Sequence, residues 1–251
     1  MPENNNKPYL CVFIPAYNEG GRKGTELRQN LGDIAKYLGK QDINYEVVVV
    51  SDGSQDNTVD VACEFSKVIK NLVVVDRKIN RGKWCSVREG FLKGKGEYHL
   101  LTDADGATAI ANLENFWPLM KKGEDVIIGS RVLQESRILK HQPRLKELMG
   151  NAWNILIKAM LGLWGIDDTQ CGFKVLSEKA VRDIVPQMEV DRWGGDFEML
   201  MLARKKKYKI NQVPVIWVDA GQSHVGLKGY LQTFWELFQV KWRMITKKYR
   251  V

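Results

Sequence analysis

The chain has 251 residues, a hydrophobic fraction of 44%, a charged fraction of 27% and a formal net charge of +8 at pH 7. This composition excludes a disordered protein and is enough for one α/β domain with a substantial core. The positive charge favours an acidic partner: nucleotide phosphates, nucleic acid or an anionic membrane surface. The four scattered cysteines lack the spacing of a metal site or a disulfide framework, which indicates free thiols in a reducing compartment.

The predicted elements alternate between strand and helix. Apolar or β-branched runs predict strands, and apolar residues at helical spacing predict helices. In chain order these are strand 10–14, helix 26–38, strand 45–50, a helix to about 68, strand 72–75, helix 82–92, strand 98–101 and strand 127–130. Strands separated by helices imply a mostly parallel sheet whose ligands lie beyond the carboxyl ends of the strands.

Polar clusters fall at these predicted strand ends, and the most informative one contains Asp103 and Asp105. Alternate residues of an extended strand point the same way, so both carboxylates can face one pocket. Two adjacent carboxylates repel each other unless a cation lies between them, and a divalent cation carrying a diphosphate meets that need. The alternative for this motif alone is a solvated turn after a strand.

Several motifs resemble those of the family 2 glycosyltransferases, which have the GT-A fold. The general motifs of that family are matched by residues 14–19, 51–56, 103–105 and 129–131, and residues 80–83, 103–108, 168–174 and 192–198 resemble its dolichyl-phosphate glucosyltransferase branch. The resemblance extends from about residue 9 to 241. It implies a GT-A (Rossmann-like), mostly parallel sheet flanked by helices, with C-terminal amphipathic helices.

The resemblance also implies a reaction: inverting transfer of a hexose, with glucose from UDP-glucose favoured, to dolichyl or polyprenyl phosphate. UDP-N-acetylglucosamine, GDP-mannose or a saccharide acceptor are alternatives within the same class. A sugar-nucleotide nucleotidyltransferase is an alternative from another class, but residues 15–21 lack the Gly-rich basic loop that it needs. Dense acidic loops argue against nucleic acid as a partner.

A donor site follows from the resemblance. The residues expected to bind the nucleotide sugar are Pro15, Tyr17, Glu19, Asp52, Lys83, Asp103, Ala104 and Asp105. Asp52 is expected to contact the base and ribose, or alternatively to cap the turn before Gly53. Lys83, with Arg88 as a weaker candidate, is expected to offset diphosphate charge. Asp105 is expected to ligate a divalent metal, Mg²⁺ or Mn²⁺, since one or two carboxylates suffice when phosphates and water complete the shell.

The acceptor half is expected to bind a phosphate monoester, which is ionised near neutral pH and needs no general base. Arg131 follows a predicted strand and is the favoured cation, with Arg144 and Lys174 as further phosphate-binding candidates. Residues 137–144 are predicted to form a basic loop that contacts the acceptor or is simply an exposed surface. Asp196, near Glu198, is expected to orient sugar hydroxyls or to act as a base for an alcohol acceptor. The catalytic candidates are therefore Asp103, Asp105, Arg131 and Asp196.

Three parts are predicted along the chain: a disordered segment 1–8, a catalytic domain 9–225 and a helix 226–251. The catalytic domain divides into a donor half, 9–125, and an acceptor half, 126–225. The helix carries an apolar stripe with adjacent basic residues, typical of a membrane-surface helix. The stripe residues are Leu231, Phe234, Trp235, Phe238, Trp242 and Ile245. Packing on the protein's own core or a homo-oligomer interface are the alternatives for the stripe.

The same features predict where the protein works. The first eight residues are polar and do not resemble a signal peptide, and no apolar run reaches the roughly 18 residues of a transmembrane helix. With a lipid-linked acceptor, this predicts a cytoplasmic protein attached peripherally to the cytoplasmic face of a membrane.

Overall fold

The computed structural model describes residues 7–21, 24–140, 144–219 and 227–249. Its strands are β1 Leu10–Ala16, β2 Tyr45–Asp52, β3 Leu72–Arg77, β4 Tyr98–Leu101, β5 Val126–Ser130, β6 Arg137–Lys140, β7 Lys174–Ser177, β8 Ile210–Pro214 and β9 Ile216–Val218. Its α-helices are α1 Gly24–Leu38, α2 Thr58–Glu64, α3 Lys83–Lys93, α4 Trp117–Lys121, α5 Arg144–Leu161, α6 Glu178–Ile184, α7 Gly195–Lys205 and α8 Leu227–Ile245. The predicted alternation of strand and helix is thus present.

A seven-stranded mixed sheet forms the centre of the molecule, in the order β3-β2-β1-β4-β7-β5-β8. The β1–β2, β1–β4, β2–β3 and β5–β8 pairs are parallel, and β7 runs antiparallel between β4 and β5. The predicted GT-A, mostly parallel sheet is therefore confirmed. Strands from both predicted halves of the catalytic domain join this one sheet.

Both faces of the sheet are covered, because successive side chains of a strand point to opposite sides. In β1, Leu10, Val12 and Ile14 enter one buried cluster with α1 and α2, whereas Cys11 and Phe13 enter another with α3, α6, α7 and α8. Buried runs such as these explain why the strands read as nearly continuous apolar segments.

The segment 137–144 differs from its prediction as a loop. Residues 137–140 form β6, which pairs in parallel with β9, and the backbone N–H of Arg137 donates to the carbonyl of Val215 at 3.1 Å. Arg144 lies at the start of α5. The loop prediction is wrong here because β6 depends on a partner some 80 residues further along the chain, which local patterning cannot show. His141 lies outside the described residues.

The described part of the chain begins at Lys7 and ends at Tyr249. Residues 1–6 lie outside the described part, while Lys7 forms an ion pair with Glu178 at 2.6 Å. Of the predicted helix 226–251, residues 227–245 form α8. Among the described residues, no helix combines the length and the apolar character needed to cross a bilayer.

Helix α8 has one buried side and one exposed apolar side. Leu237 and Val240 are fully buried, whereas Trp235 and Trp242 are 64% and 63% exposed. The remaining stripe residues are also exposed: Leu231, Phe234, Phe238 and Ile245. Packing of the whole stripe on the protein's own core, one of the alternatives, is therefore wrong. Helix α5 adds the exposed side chain of Ile155 to this surface. The ring centroids of Trp153 on α5 and Phe234 on α8 lie 6.0 Å apart.

Candidate active site

A cavity of about 540 Å³ opens beyond the carboxyl ends of β1, β2 and β4. Parallel strands of one sheet bring their following loops to this edge. Every residue expected to bind the nucleotide sugar lines the cavity, and so does Arg131. The structure thus brings the predicted donor residues and one predicted acceptor residue together, while their roles stay predictions.

The paired carboxylates lie in the cavity wall with a lysine. Lys83 Nζ donates to Asp103 Oδ1 at 2.6 Å, and Asp105 Oδ1 accepts from the backbone N–H of Ala107 at 2.9 Å. Burial acts against the charge of Asp103, but the Lys83 ammonium outweighs it and holds the pKa of Asp103 below its ordinary 3.8. Burial, followed by the charge of Asp103, raises the pKa of Asp105 to about 6. A bound cation would relieve this repulsion between the carboxylates of Asp103 and Asp105.

The fit of a divalent metal depends on these two carboxylates. No group of three or more His, Cys, Asp or Glu side chains suited to a metal occurs in the described parts of the chain. A site of Asp105 with Asp103 leaves most coordination positions to phosphate and water, which is the arrangement Mg²⁺ favours. The donor set therefore fits a metal that binds together with a diphosphate.

Gly172 lets Asp103 occupy its place. A Cβ atom at this position would lie 2.0 Å from Asp103 Oδ2, so any side chain would displace the carboxylate. The neighbouring Cys171 is buried and also lines the cavity. Gly172 is thus explained by its close packing against Asp103, and Cys171 is a small buried residue of the neighbouring core, a role that needs no thiolate.

Arg131 is held by two neighbours. Its Nε and Nη2 donate to the Asp168 carboxylate at 2.7 and 2.9 Å, and its backbone N–H donates to the same group at 3.1 Å. Its guanidinium carbon also lies 5.6 Å from the centre of the Trp217 ring, within cation–π range. Burial opposes ionisation of Asp168, but Arg131 prevails and holds the pKa of Asp168 at about 2. The planar guanidinium is fixed at the cavity wall.

Asp52 organises the loop after β3. It is 3% exposed, and its oxygens accept from the backbone N–H groups of Arg81 at 3.0 Å and Gly82 at 2.7 Å. Arg77 Nη1 donates to Asp52 at 3.1 Å. Because Asp52 spans β2 and the 80–82 loop, it fixes the start of α3 and hence Lys83. Asp52 therefore caps the 80–82 loop, whereas the alternative was that it caps the turn before Gly53.

Lys174 and Asp196 lie behind the cavity wall. Lys174 is fully buried, and its Nζ donates to Asp196 Oδ1 at 2.5 Å and to the carbonyl of Cys171. Trp84 Nε1 donates to Asp196 Oδ2 at 3.0 Å. Both side chains are paired with these buried partners, and neither lines the cavity. Direct phosphate contact by Lys174 and a general-base role for Asp196 therefore do not fit this structure, and the pair supports the wall that carries Lys83 and Asp103.

Two further basic candidates lie away from the cavity. Arg144 is exposed at the start of α5 and is not part of the cavity lining. Arg88 pairs with Asp191 and donates to the carbonyl of Val190 at 2.9 Å. Neither Arg144 nor Arg88 is therefore brought to the cavity in this structure, and their phosphate-binding roles stay predictions.

The cavity also contains residues that were not assigned to it from the sequence. They include Asn80, Gly82, Thr108, Gln170, Arg192, Trp193, Trp217 and Asp219. Arg192 and Trp193 occur in a motif that carried the family resemblance, so a signal existed for them. Trp217 lies on the three-residue strand β9 and had no local signal, because its place depends on pairing with β6 and on a bridge to Thr108.

Comparison with known proteins places this site in a family. The fold and the site are those of a glycosyltransferase with the GT-A fold. The chain belongs to glycosyltransferase family 2, since residues 11–185 match the family model "Glycosyl transferase family 2".

Two named relatives resemble the chain over most of its length. The chain is 32% identical over 238 residues to dolichyl-phosphate beta-glucosyltransferase ALG5D of Trichomonas vaginalis, covering 92% of this chain and 72% of that protein. It is 33% identical over 234 residues to dolichyl-phosphate beta-glucosyltransferase of Dictyostelium discoideum, covering 87% and 70%. Among solved structures, glucosyl-3-phosphoglycerate synthase from Mycobacterium tuberculosis with Mn²⁺, UDP-glucose and phosphoglyceric acid superposes with a TM-score of 0.68 at 16% identity, covering 94% and 81%. The structural likeness supports the fold.

Proposed function

We propose that this chain transfers glucose from UDP-glucose to dolichyl or polyprenyl phosphate with inversion at the anomeric carbon. The observation that carries the proposal is the meeting, in one cavity, of the Asp103–Asp105 pair with the fixed guanidinium of Arg131. The names of the relatives support glucose as the sugar and dolichyl phosphate as the acceptor.

The donor is held at the ends of β1, β2 and β4. Asp52 and Glu19 face the space for base and ribose, and Lys83 lies beside the Asp103 carboxylate where the diphosphate is expected. Asp105, with Asp103, would hold a divalent cation, which when bound neutralises diphosphate charge and stabilises the leaving group. These residues orient the glucosyl C1 atom toward the acceptor half of the cavity.

The acceptor phosphate is placed by Arg131. Asp168 occupies Nε and Nη2 of its guanidinium, and the Trp217 ring lies against it, so the group has little freedom to rotate. An acceptor phosphate oxygen attacks C1, the bond from C1 to the UDP oxygen breaks, and UDP leaves with the electron pair. Because the phosphate monoester is already ionised, no side chain must remove a proton, which agrees with the position of Asp196 outside the cavity lining and its pairing with Lys174.

The site of action is proposed to be the cytoplasmic face of a membrane, reached through α8 and the neighbouring part of α5. Support comes from the exposed tryptophans of α8 and from the exposed basic residues Lys247 and Lys248 just beyond its end. Aromatic side chains favour the headgroup region, and each nearby basic residue adds about 1 kcal/mol of attraction to an anionic surface. Cys11, Cys63, Cys85 and Cys171 are free, as expected in a reducing compartment. A homo-oligomer that covers the stripe is the competing proposal.

The test is transfer by the purified chain. Dolichyl phosphate in mixed vesicles is incubated with UDP-glucose, UDP-N-acetylglucosamine or GDP-mannose, each with Mg²⁺, Mn²⁺ or a chelator, and lipid-linked sugar is quantified. We expect glucose transfer from UDP-glucose that requires a divalent cation. Preferential transfer of another sugar would refute the donor assignment, and transfer to a free saccharide but not to lipid phosphate would refute the acceptor assignment.

A further inference from the structure

The segment 189–194 forms the part of the cavity wall nearest to α8. Two of its side chains, Arg192 and Trp193, line the cavity. Its first backbone N–H groups, those of Glu189 and Val190, donate to the Glu198 carboxylate of α7 at 3.0 and 2.9 Å. Tyr249, beyond the end of α8, donates its hydroxyl to the same carboxylate at 2.7 Å.

The other end of the segment is held by α8 itself. Glu236 Oε2 accepts from the backbone N–H groups of Trp193 at 3.1 Å and Gly194 at 2.7 Å. Glu236 is 5% exposed, and burial raises its pKa even though these two hydrogen bonds favour the charged form. A carboxylate is costly to bury unless it is hydrogen-bonded, so Glu236 and the amides of the segment stabilise each other.

On its far side the segment contacts the start of α3. The carbonyls of Asp191 and Arg192 accept from the backbone N–H groups of Cys85 at 2.8 Å and Trp84 at 3.3 Å. Gly82 lies so close that a Cβ atom there would be 2.5 Å from the Asp191 carbonyl oxygen. The segment is therefore clamped between the donor side of the cavity and α8.

The exposed stripe of α8 lies on a different side of the helix from Glu236. Trp235 and Phe238 are exposed, whereas Glu236 and Leu237 are buried. A helix with its side chains is about 10–12 Å across, so only that thickness separates the stripe from the cavity wall.

We propose that Glu236 is a positioning residue that fixes the Arg192–Trp193 wall of the cavity relative to α8. This would keep that wall of the cavity aligned with the surface where the lipid chain is proposed to lie. The inference rests on the proposed function, because it assumes an acceptor whose phosphate enters the cavity while its isoprenoid chain remains beside α8. The donor side has its own anchors in Asp52 and Asp103, so we expect acceptor use to depend on Glu236 more than nucleotide binding does.

The experiment compares Glu236→Ala and Glu236→Gln with Ser177→Ala in the full chain. Ser177 caps α6 by accepting from the backbone N–H of Ala180 at 3.1 Å and does not line the cavity, so it controls for loss of a helix cap. We expect Glu236→Ala to raise the acceptor KM or lower the acceptor kcat/KM by about tenfold or more, because small misplacements of substrate contacts are costly. UDP affinity should change less than about twofold, and Glu236→Gln should recover acceptor use because its amide oxygen still accepts.

Hydrogen exchange supplies a readout that needs no substrate. The amides of Trp193 and Gly194 should lose protection in Glu236→Ala and keep it in Ser177→Ala. If Glu236→Ala does not fold, Glu236→Asp takes its place, since its carboxylate is one methylene shorter and should give a smaller rise in acceptor KM with unchanged UDP affinity.

Two failures can be told apart. A wild-type chain that is inactive on every polyprenyl phosphate would refute the proposed function and the acceptor part of the inference with it. An active wild type whose Glu236 variants match Ser177→Ala in acceptor KM, or lose UDP affinity and acceptor use equally, would refute the inference alone.

Discussion

The ion pair between Arg131 and Asp168 gives a quantitative prediction. Asp168→Asn removes the carboxylate that accepts three hydrogen bonds from Arg131. The Asp168 side chain is 5% exposed, so solvent screens the pair little. Lowering the pKa of Asp168 from 3.8 to about 2 corresponds to about 2 kcal/mol of folding stability, at about 1.4 kcal/mol per pKa unit. We expect Tm at neutral pH to fall by roughly 4–8 °C, since a protein of this size loses about 2–4 °C per kcal/mol.

The pH dependence of this difference has a defined sign. The pKa of Asp168 is lower in the folded than in the unfolded state, so its stabilisation is fully present well above pH 3.8 and is lost as the pH falls toward about 2. Near pH 3 roughly half of it, about 1 kcal/mol, should be gone. The stability gap between wild type and Asp168→Asn should therefore narrow by that amount between neutral pH and about pH 3.

Denaturant unfolding at both pH values measures the gap. Asp33→Asn is a matched control because Asp33 is exposed on α1, and its gap to wild type should stay near zero. The reasoning would be refuted by an Asp168→Asn gap that is the same at both pH values, or by a gap no larger than that of the control.

Three further predictions concern the donor site and α8. Asp105→Asn should nearly abolish transfer. In the wild type, Mn²⁺-dependent UDP binding should weaken as the pH falls below about 6, because Asp105 becomes protonated there. Calorimetry at pH values on either side of 6 measures this change in affinity. Gly172→Ala should lower Mn²⁺-dependent UDP affinity by about tenfold, because its Cβ would displace Asp103, whereas Gly150→Ala on α5, which has no neighbour within 4 Å of the new atom, should leave it unchanged. The double variant Trp235→Ser/Trp242→Ser should co-sediment less with anionic vesicles at low salt than the wild type does. The control Val68→Ser also removes an exposed apolar side chain and should co-sediment like the wild type. Equal sedimentation of the two variants would exclude α8 as the membrane contact.

The meeting of the candidate donor residues in one cavity was predictable from the sequence because it depends on a rule of topology. The loops that follow β1, β2 and β4 must meet at one edge of a parallel sheet, so their polar residues could be placed together without knowing any contact. Asp103 and Asp105 illustrate this, since both line the cavity although they lie in the turn that follows β4 and not in the strand itself. The apolar stripe of α8 was likewise readable from helical periodicity, whereas its exposure became clear only from the structure.

The acceptor side was less predictable because it depends on pairings between distant segments. Arg131 was identified from its place after β5, but its partner Trp217 is fixed by the non-local pairing of β6 with β9. Lys174 was named as a phosphate-binding candidate because it lies in the 168–174 motif. Its partner Asp196 comes from α7, and only the fold reveals that the two charges neutralise each other inside the protein.

The charged residues that line the cavity are mainly acidic, although the whole chain carries a net positive charge. Among the described residues that line the cavity, carboxylates outnumber cations: Glu19, Asp52, Asp103, Asp105 and Asp219 against Lys83, Arg131 and Arg192. Two phosphate-bearing substrates would therefore enter a site without net positive charge, which is unfavourable unless further positive charge enters with them. A divalent cation bound with the diphosphate would provide it, so the acidic lining itself favours metal-dependent donor binding. The excess of positive charge in the chain therefore lies outside the cavity lining, where it would favour the proposed contact with an anionic membrane.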